Sequence, residues 1–317
     1  SVSNGTVGLF ISLKVSGVKD NDEVLVPAVT FVASANAVAQ CNAIPHFIDI
    51  EDKTLGIDIN KLEKYLCKNT FIKKNICYNK KTKRKIKAII PVHVFGHPCE
   101  IKKIVLVAKK FKLIVIEDAA EAIGSYYKKK HVGNFGTAGV LSFNGNKIVT
   151  CGGGGAIITN NLKLFRKIKH LCSTAKIFHK WKYIHDEVGY NFRLPALNAA
   201  LGYSQLLKLK FFINKKIKLY RIYKEKFSKL EGVSIMDSPK DCDSNFWLQT
   251  MILSNKTKKL KTKLIIDCHK LGIKVRPLWD IIPTLKMYKR CPKMNLDNSK
   301  KAYSSIINLP SSSSIIE

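Results

Sequence analysis

Apolar residues in the first two-thirds of the chain fall into short unbroken runs separated by helix-spaced ones. The runs at 24–27, 45–49, 88–92 and 113–116 predict strands, with turn residues beside them. Unbroken rather than alternating runs suit a parallel sheet covered on both faces. Between the last two, residues 101–111 place Ile101, Ile104, Val105 and Ala108 on one face of a helix. Residues 140–143 and 156–159 predict two further strands around a loop, and 7–13 predict an apolar helix. This strand–helix–strand rhythm predicts an α/β layered domain. The lysine-rich stretch 198–230, with Leu206, Leu209, Ile213, Ile217 and Tyr220, predicts one long connecting helix. After Gly232, strands are predicted at 233–235, 246–253 and 272–275, and a helix at 261–271. They suit a smaller α+β unit. The basic run 73–87 predicts an exposed hairpin or loop, and the serines at 311–314 a low-complexity loop.

Composition changes this picture little. With 317 residues, the chain is long enough for one large domain and a smaller one. No run approaches the ~18 apolar residues of a membrane span, and residues 1–10 lack the basic and apolar regions of a secretory signal, so none is expected. The nine cysteines are scattered without a Cys-x-x-Cys pair, which suggests neither a metal site nor a disulfide framework and fits a reducing cytoplasm. The net charge of +32 raises nucleic-acid binding as an option. Arg84, Arg166, Arg193, Arg221, Arg276 and Arg290 are the only arginines, however, and the lysines are spread along the whole chain. Specific base and phosphate readers favour arginine's planar fork. The charge therefore reads mostly as a solvated surface, with attraction of anionic substrates a secondary reading for the run 73–87.

Four local patterns carry candidate chemistry. Ser142-Phe143-Asn144-Gly145-Asn146-Lys147 runs from a strand into a loop, followed by Gly152-Gly153-Gly154-Gly155. A lysine there can form a Schiff base with an aldehyde cofactor, and the glycines give backbone room near a ligand. In a chain this rich in lysine, a solvated side chain is the plainer reading. Glu117-Asp118-Ala119-Ala120-Glu121 follows a buried strand, where open α/β sheets place their ligands. A pyridoxal phosphate (PLP) ring needs a carboxylate against its pyridine nitrogen, and Asp118 fits; a helix cap is the alternative. Ser3-Asn4-Gly5-Thr6 opens the first helix and suits either a phosphate or an ordinary N-cap. Phe31 offers a stacking face, or a core phenylalanine.

In this order the four patterns resemble the DegT/DnrJ/StrS family of sugar aminotransferases. Residues 27–36 and Gly189-Tyr190-Asn191-Phe192-Arg193 extend the likeness, which covers essentially the whole chain. Asn79-Lys80-Lys81-Thr82, residues 92–98, His185-Asp186-Glu187 and residues 308–312 look most like the legionaminic-acid and bacillosamine-type members, with perosamine synthases as near neighbours.

The resemblance implies PLP fold type I, with a three-layer α/β/α large domain at 1–205 and a small α+β domain at 206–317 that includes the connecting helix. Relatives normally carry a segment before the phosphate-binding turn, so an N-terminal piece is expected to be missing from the large domain. The resemblance also implies Lys147 as cofactor lysine and proton carrier, with Asp118 on the pyridine nitrogen and Glu121, often glutamine in relatives, near the phenolic oxygen. Phe31 would stack on the ring, while Thr6, the Val7 amide and Ser142 would hold the phosphate. Asn191 and Arg193 would reach a neighbouring subunit's site in a homodimer with shared active sites. No metal, nucleic acid or membrane is implied. Expected substrates are glutamate and a nucleotide-linked 4-keto-6-deoxy sugar, for surface polysaccharide, lipopolysaccharide or nonulosonic acid biosynthesis. A dehydrating branch carries histidine where Lys147 stands, so lysine favours amino transfer. The alternative is a non-catalytic PLP-binding member with a regulatory or partner role.

Overall fold

The computed structural model describes residues 1–316. At its centre are strands β1 (Glu23–Pro27), β2 (Ile44–Ile48), β3 (Lys85–Ile89), β4 (Ile114–Asp118), β5 (Ala138–Ser142) and β6 (Gly155–Ile158). They lie in the order β6-β5-β4-β3-β1-β2. The first five in the chain run parallel, and β6 closes one edge antiparallel to β5. Every residue of β1 and β5 is buried, as a sheet covered on both faces requires. Helix α1 (Gly5–Val15) packs on α2 (Ala33–Gln40) and α5 (Leu162–Cys172), while α3 (Ile59–Asn69) packs against α4 (Ile101–Lys110). This is the expected three-layer arrangement. On α4 the buried face is Ile101, Ile104, Val107 and Ala108, with Val105 only part-buried.

The basic run resolves into two parts. Strands Thr70–Lys73 and Ile76–Asn79 form the expected hairpin, and Lys85 to Lys87 already belong to β3. Ile86 pairs with both Glu23 and Cys77, so β3 starts three residues before its apolar run. At the same edge buried Glu23 accepts from Asn79 Nδ2 (2.9 Å) and Thr82 Oγ1 (2.5 Å) and meets His46 Nδ1 (2.8 Å). The Asn79–Thr82 motif is thus an internal anchor.

The expected long helix is two helices, α6 (Ala196–Leu207) and α7 (Leu209–Phe227). The break is at Lys208 (φ −100°, ψ 6°), whose N–H donates to Gln205 O (3.0 Å) in a tightened turn. A four-stranded antiparallel sheet follows, in the order Val233–Ile235, Gln249–Leu253, Ile306–Leu309, Arg276–Pro277. Residues 272–275 are not the expected strand. They end α8 (Lys261–Lys270), where Gly272 (φ 76°) donates to His269 O (3.0 Å) and Ile273 to Cys268 O (2.9 Å). That paired ending needs a left-handed residue, and glycine adopts it without a Cβ penalty. Helix α9 (Asp297–Ser305) is tied to the first sheet by buried Asp49, which accepts from Ser299 N (2.9 Å), Ser299 Oγ (2.7 Å) and Lys61 Nζ (2.9 Å). Among the described residues no helix is long and apolar enough to cross a membrane.

Candidate active site

Strands β4 and β5 end side by side, and their C-terminal residues, Asp118 and Ser142, face one cavity of about 320 Å³. Open α/β sheets hold ligands at this edge. Asp118 is buried. Its Oδ2 accepts from Ser34 Oγ (2.7 Å) on α2, which meets Thr30 Oγ1 (2.9 Å), and its Oδ1 accepts from the Ala120 amide (3.1 Å). The residues directly after Asp118 form turns that lead to the short strand Tyr126–Tyr127 rather than a helix, so helix capping does not account for it. Its neighbour Glu117 points elsewhere. It accepts from the amides of Gly133 (2.8 Å), Phe135 (2.6 Å) and Gly136 (2.6 Å) and meets His93 Nε2 (3.2 Å). Burial pushes the Glu117 carboxyl up, but the His93 bond and these amides outweigh it and leave it below the usual range. The acid pair thus splits into one scaffold group and one cavity group.

Lys147 reaches the cavity from the β5–β6 loop, which is closed by Phe143 N to Gly154 O (2.9 Å) and Cys151 N to Phe143 O (3.0 Å). Its Nζ lies 3.6 Å from Glu121 Oε1 and 3.7 Å from the centre of the Trp247 ring. Glu121 is buried and accepts from the Phe95 amide (2.8 Å). Burial pushes its carboxyl up to about 7 against the pull of Lys147.

The glycine run does not line this cavity. A Cβ on Gly154 would lie 2.4 Å from Cys151 Sγ, and one on Gly155 2.8 Å from Leu141 O. These glycines let the loop fold back on its own strands. The close approach to the site is made by Gly5, whose added Cβ would stand 3.1 Å from Ser142 Cβ. It brings Thr6 and Ser142 to one wall. The Val7 amide is a correction to the sequence reading: Asn4 Oδ1, acting as N-cap, already takes its hydrogen (2.9 Å), and Val7 lies outside the cavity wall. Gly5 and Thr6 carry the preceding amides, ahead of the first helical bond from Gly8 N to Asn4 O (3.1 Å).

Phe31 is 55% exposed at the cavity mouth, edge-on to Trp279. It is therefore not a core phenylalanine. Asn191 and Arg193 are exposed and do not reach this cavity within one chain; Arg193 borders a separate hollow with Phe165 and Leu194. Ser34, Asn245, Trp247 and Trp279 were missed in the sequence reading. A hydroxyl four residues after Thr30 was the available signal for Ser34. The others come from two distant segments, Asn245 and Trp247 from one and Trp279 from another, with no local motif.

The match to known proteins now decides the family. A model of the DegT/DnrJ/EryC1/StrS aminotransferase family matches residues 1–317. The chain belongs to that family. Among family relatives, a GDP-perosamine synthase of Escherichia coli O157:H7 is 35% identical over 91% of this chain and 73% of its own. A GDP-perosamine synthase of Vibrio cholerae is 34% identical over 98% and 80%. The structure of Helicobacter pylori PseC, an aminotransferase involved in pseudaminic acid biosynthesis, superposes with a TM-score of 0.88 at 26% identity, covering 99% of this chain and 82% of its own.

The family's cofactor is PLP. The cavity fits it by donor chemistry: hydroxyls at Thr6 and Ser142 and the helix-start amides of Gly5 and Thr6 for a phosphate, a buried carboxylate at Asp118 for a ring nitrogen, and an amine at Lys147.

Glu121 gives a prediction for the cofactor-free protein. Its folded pKa of about 7 stands above the ordinary 4.5. Between those values the folded state holds a proton the unfolded chain has lost, so this group's stabilisation falls as pH rises through that window. Glu121→Gln is expected to remove the dependence, raising stability at pH 8 by on the order of 3 kcal/mol with little gain at pH 4.5. Thermal melts of both proteins from pH 4.5 to 8 check it; a gain independent of pH would contradict the assignment.

Proposed function

We propose that this PLP-dependent aminotransferase moves an amino group from glutamate to the keto carbon of a nucleotide-linked 4-keto-6-deoxy sugar, for surface polysaccharide or nonulosonic acid synthesis. Lys147 is its cofactor lysine. The observation that carries this reading is the Lys147 amine standing in one cavity with Asp118 and beside Glu121.

PLP when bound supplies an electron sink for the carbon bearing the transferred nitrogen. The chain's own groups do the rest. Lys147 Nζ carries the proton between that carbon and the cofactor. Asp118, fixed by Ser34 and Ala120, keeps a proton on the ring nitrogen. Glu121, beside Lys147 in the cavity, would face the cofactor's phenolic oxygen and could accept or return a proton there. Thr6, Ser142 and the Gly5 and Thr6 amides would hold the phosphate, and Phe31, at the cavity mouth, would offer its face to the ring.

We also read the enzyme as a cytoplasmic homodimer. Phe178, Trp181, Tyr183, Val188, Leu197, Tyr203 and Leu207 are exposed between the Lys147 loop and α7. Large apolar side chains exposed in this number suit a second copy, and Asn191 and Arg193, which do not reach the chain's own cavity, lie in the same stretch of sequence. Leu197→Asp is expected to weaken dimerisation at least ~10-fold by sedimentation equilibrium; a wild-type chain monomeric at all concentrations would end this part of the reading. A domain boundary near 205/206 belongs to the same proposal; it falls in the last turn of α6 (Ala196–Leu207), and the second sheet lies wholly after it.

The test is incubation with glutamate and a panel of UDP- and GDP-linked 4-keto-6-deoxy sugars, with mass spectrometry showing which gains an amine. A non-catalytic member would bind cofactor with no absorbance change on adding glutamate.

A further inference from the structure

We propose that Trp247, from the segment leading into the second sheet, is the positioning residue that holds the Lys147 amine in place through the face of its indole. Resting on the reading of Lys147 as the reactive lysine, it adds a control that the Lys147 loop does not itself contain.

The geometry is over-determined. Lys147 Nζ lies 3.7 Å from the ring centre, on the ring face, with Glu121 Oε1 at 3.6 Å. A ring face attracts an ammonium, most strongly where water is excluded, and Trp247 is buried. The indole cannot turn away, because Nε1–H donates to Asn146 O (2.8 Å), the residue next to Lys147. Its backbone is fixed on both sides. Trp247 N–H donates to Asn245 Oδ1 (2.9 Å), and Trp247 O accepts from Lys216 Nζ (2.8 Å), a buried cation on α7. Asn245 Nδ2 in turn donates to Glu121 O (2.9 Å) and Ile123 O (2.8 Å). One short strap therefore grips the turn carrying Glu121 and the loop carrying Lys147, and sets the distance between them. A Cβ on Gly96 (φ 89°) would come within 1.8 Å of Asn245 Oδ1, so the strap seats only over a glycine there.

An amine packed between a carboxyl and a ring is withheld from acylating reagents. The test is competitive acetylation of the cofactor-free protein with acetic anhydride, read lysine by lysine by peptide mapping. Trp247→Leu, which keeps apolar bulk but has no ring face, is expected to acetylate Lys147 at least 5-fold faster, with surface lysines unchanged. Trp247→Phe, which keeps a face but loses the bond to Asn146 O, is expected to give about 2-fold. In the loaded enzyme the leucine variant is expected to lose about 10-fold in kcat with KM for glutamate within 2-fold. A folded leucine variant acetylating Lys147 at the wild-type rate overturns the proposal. If that variant does not fold, a folded Trp247→Met variant, which also has no ring face, acetylating Lys147 at the wild-type rate overturns it equally. The labelling needs neither cofactor nor substrate, so it can fail while the assigned function stands.

Discussion

Lys147→Ala is expected to lower amino transfer by at least ~10⁴-fold, the largest effect of any single substitution in this chain. Two contributions vanish together: the covalent hold on the cofactor and the base that carries the proton. Structural damage cannot stand in for them. The side chain lies in a cavity rather than a packed core, and alanine leaves Glu121 with its Phe95 amide bond (2.8 Å). Lys147→Arg separates chemistry from charge. It keeps a cation between Glu121 and the Trp247 ring, yet a guanidinium stays protonated and cannot act as base. Both variants are expected to melt near wild type and to give no aminated sugar by mass spectrometry. Borohydride reduction of loaded wild-type enzyme, followed by peptide mapping, is expected to tag residue 147. A tag elsewhere, or an alanine variant at full rate, ends the assignment.

The layered fold was legible because apolar continuity is a strong signal: β1, β4 and β5 are buried along nearly their whole length. Boundaries failed where a local backbone event overrode the pattern. Lys208 splits a helix whose apolar spacing continues across it, and Gly272 stops α8 where the next residues look extended. Strand Gln249–Leu253 begins later than its apolar run because Phe246 takes φ 49° within the strap. Within the site, Lys147, Asp118, Thr6 and Phe31 stood out from local patterns and Glu121 and Ser142 through the family resemblance, and all six line one cavity. Val7 could not be excluded in advance, because the choice between phosphate and Asn4 for its amide is a matter of three-dimensional aim. Trp247 and Asn245 were invisible for another reason: they act from about a hundred residues away, through backbone carbonyls that carry no sequence signal.

Asp118→Asn is expected to cost ~10²- to 10³-fold in kcat while leaving the fold intact. The wild-type carboxylate accepts twice, from Ser34 Oγ and from the Ala120 amide. Asparagine can satisfy most of the same surroundings. Its oxygen takes the Ala120 hydrogen, and its NH₂ donates to Ser34 Oγ, whose own hydrogen turns to Thr30 Oγ1 at 2.9 Å. The Thr30 hydrogen, which donates to Ser34 Oγ in the wild type, loses that acceptor, so the melting temperature is expected to fall by about 2–4 °C, the shift from losing one hydrogen bond of about 1 kcal/mol. What goes is the negative charge that keeps a proton on the ring nitrogen. Removing one member of a buried ion pair costs about 3–5 kcal/mol, and each 1.4 kcal/mol is tenfold in rate, so a loss of 10²-fold or more follows. The cofactor is still expected to be retained, because Lys147 and the phosphate-binding wall are untouched. Single-turnover kinetics at saturating cofactor measure the drop. A variant that binds cofactor, stays folded and turns over at full rate would mean the carboxylate at 118 serves only to hold α2 in place through Ser34.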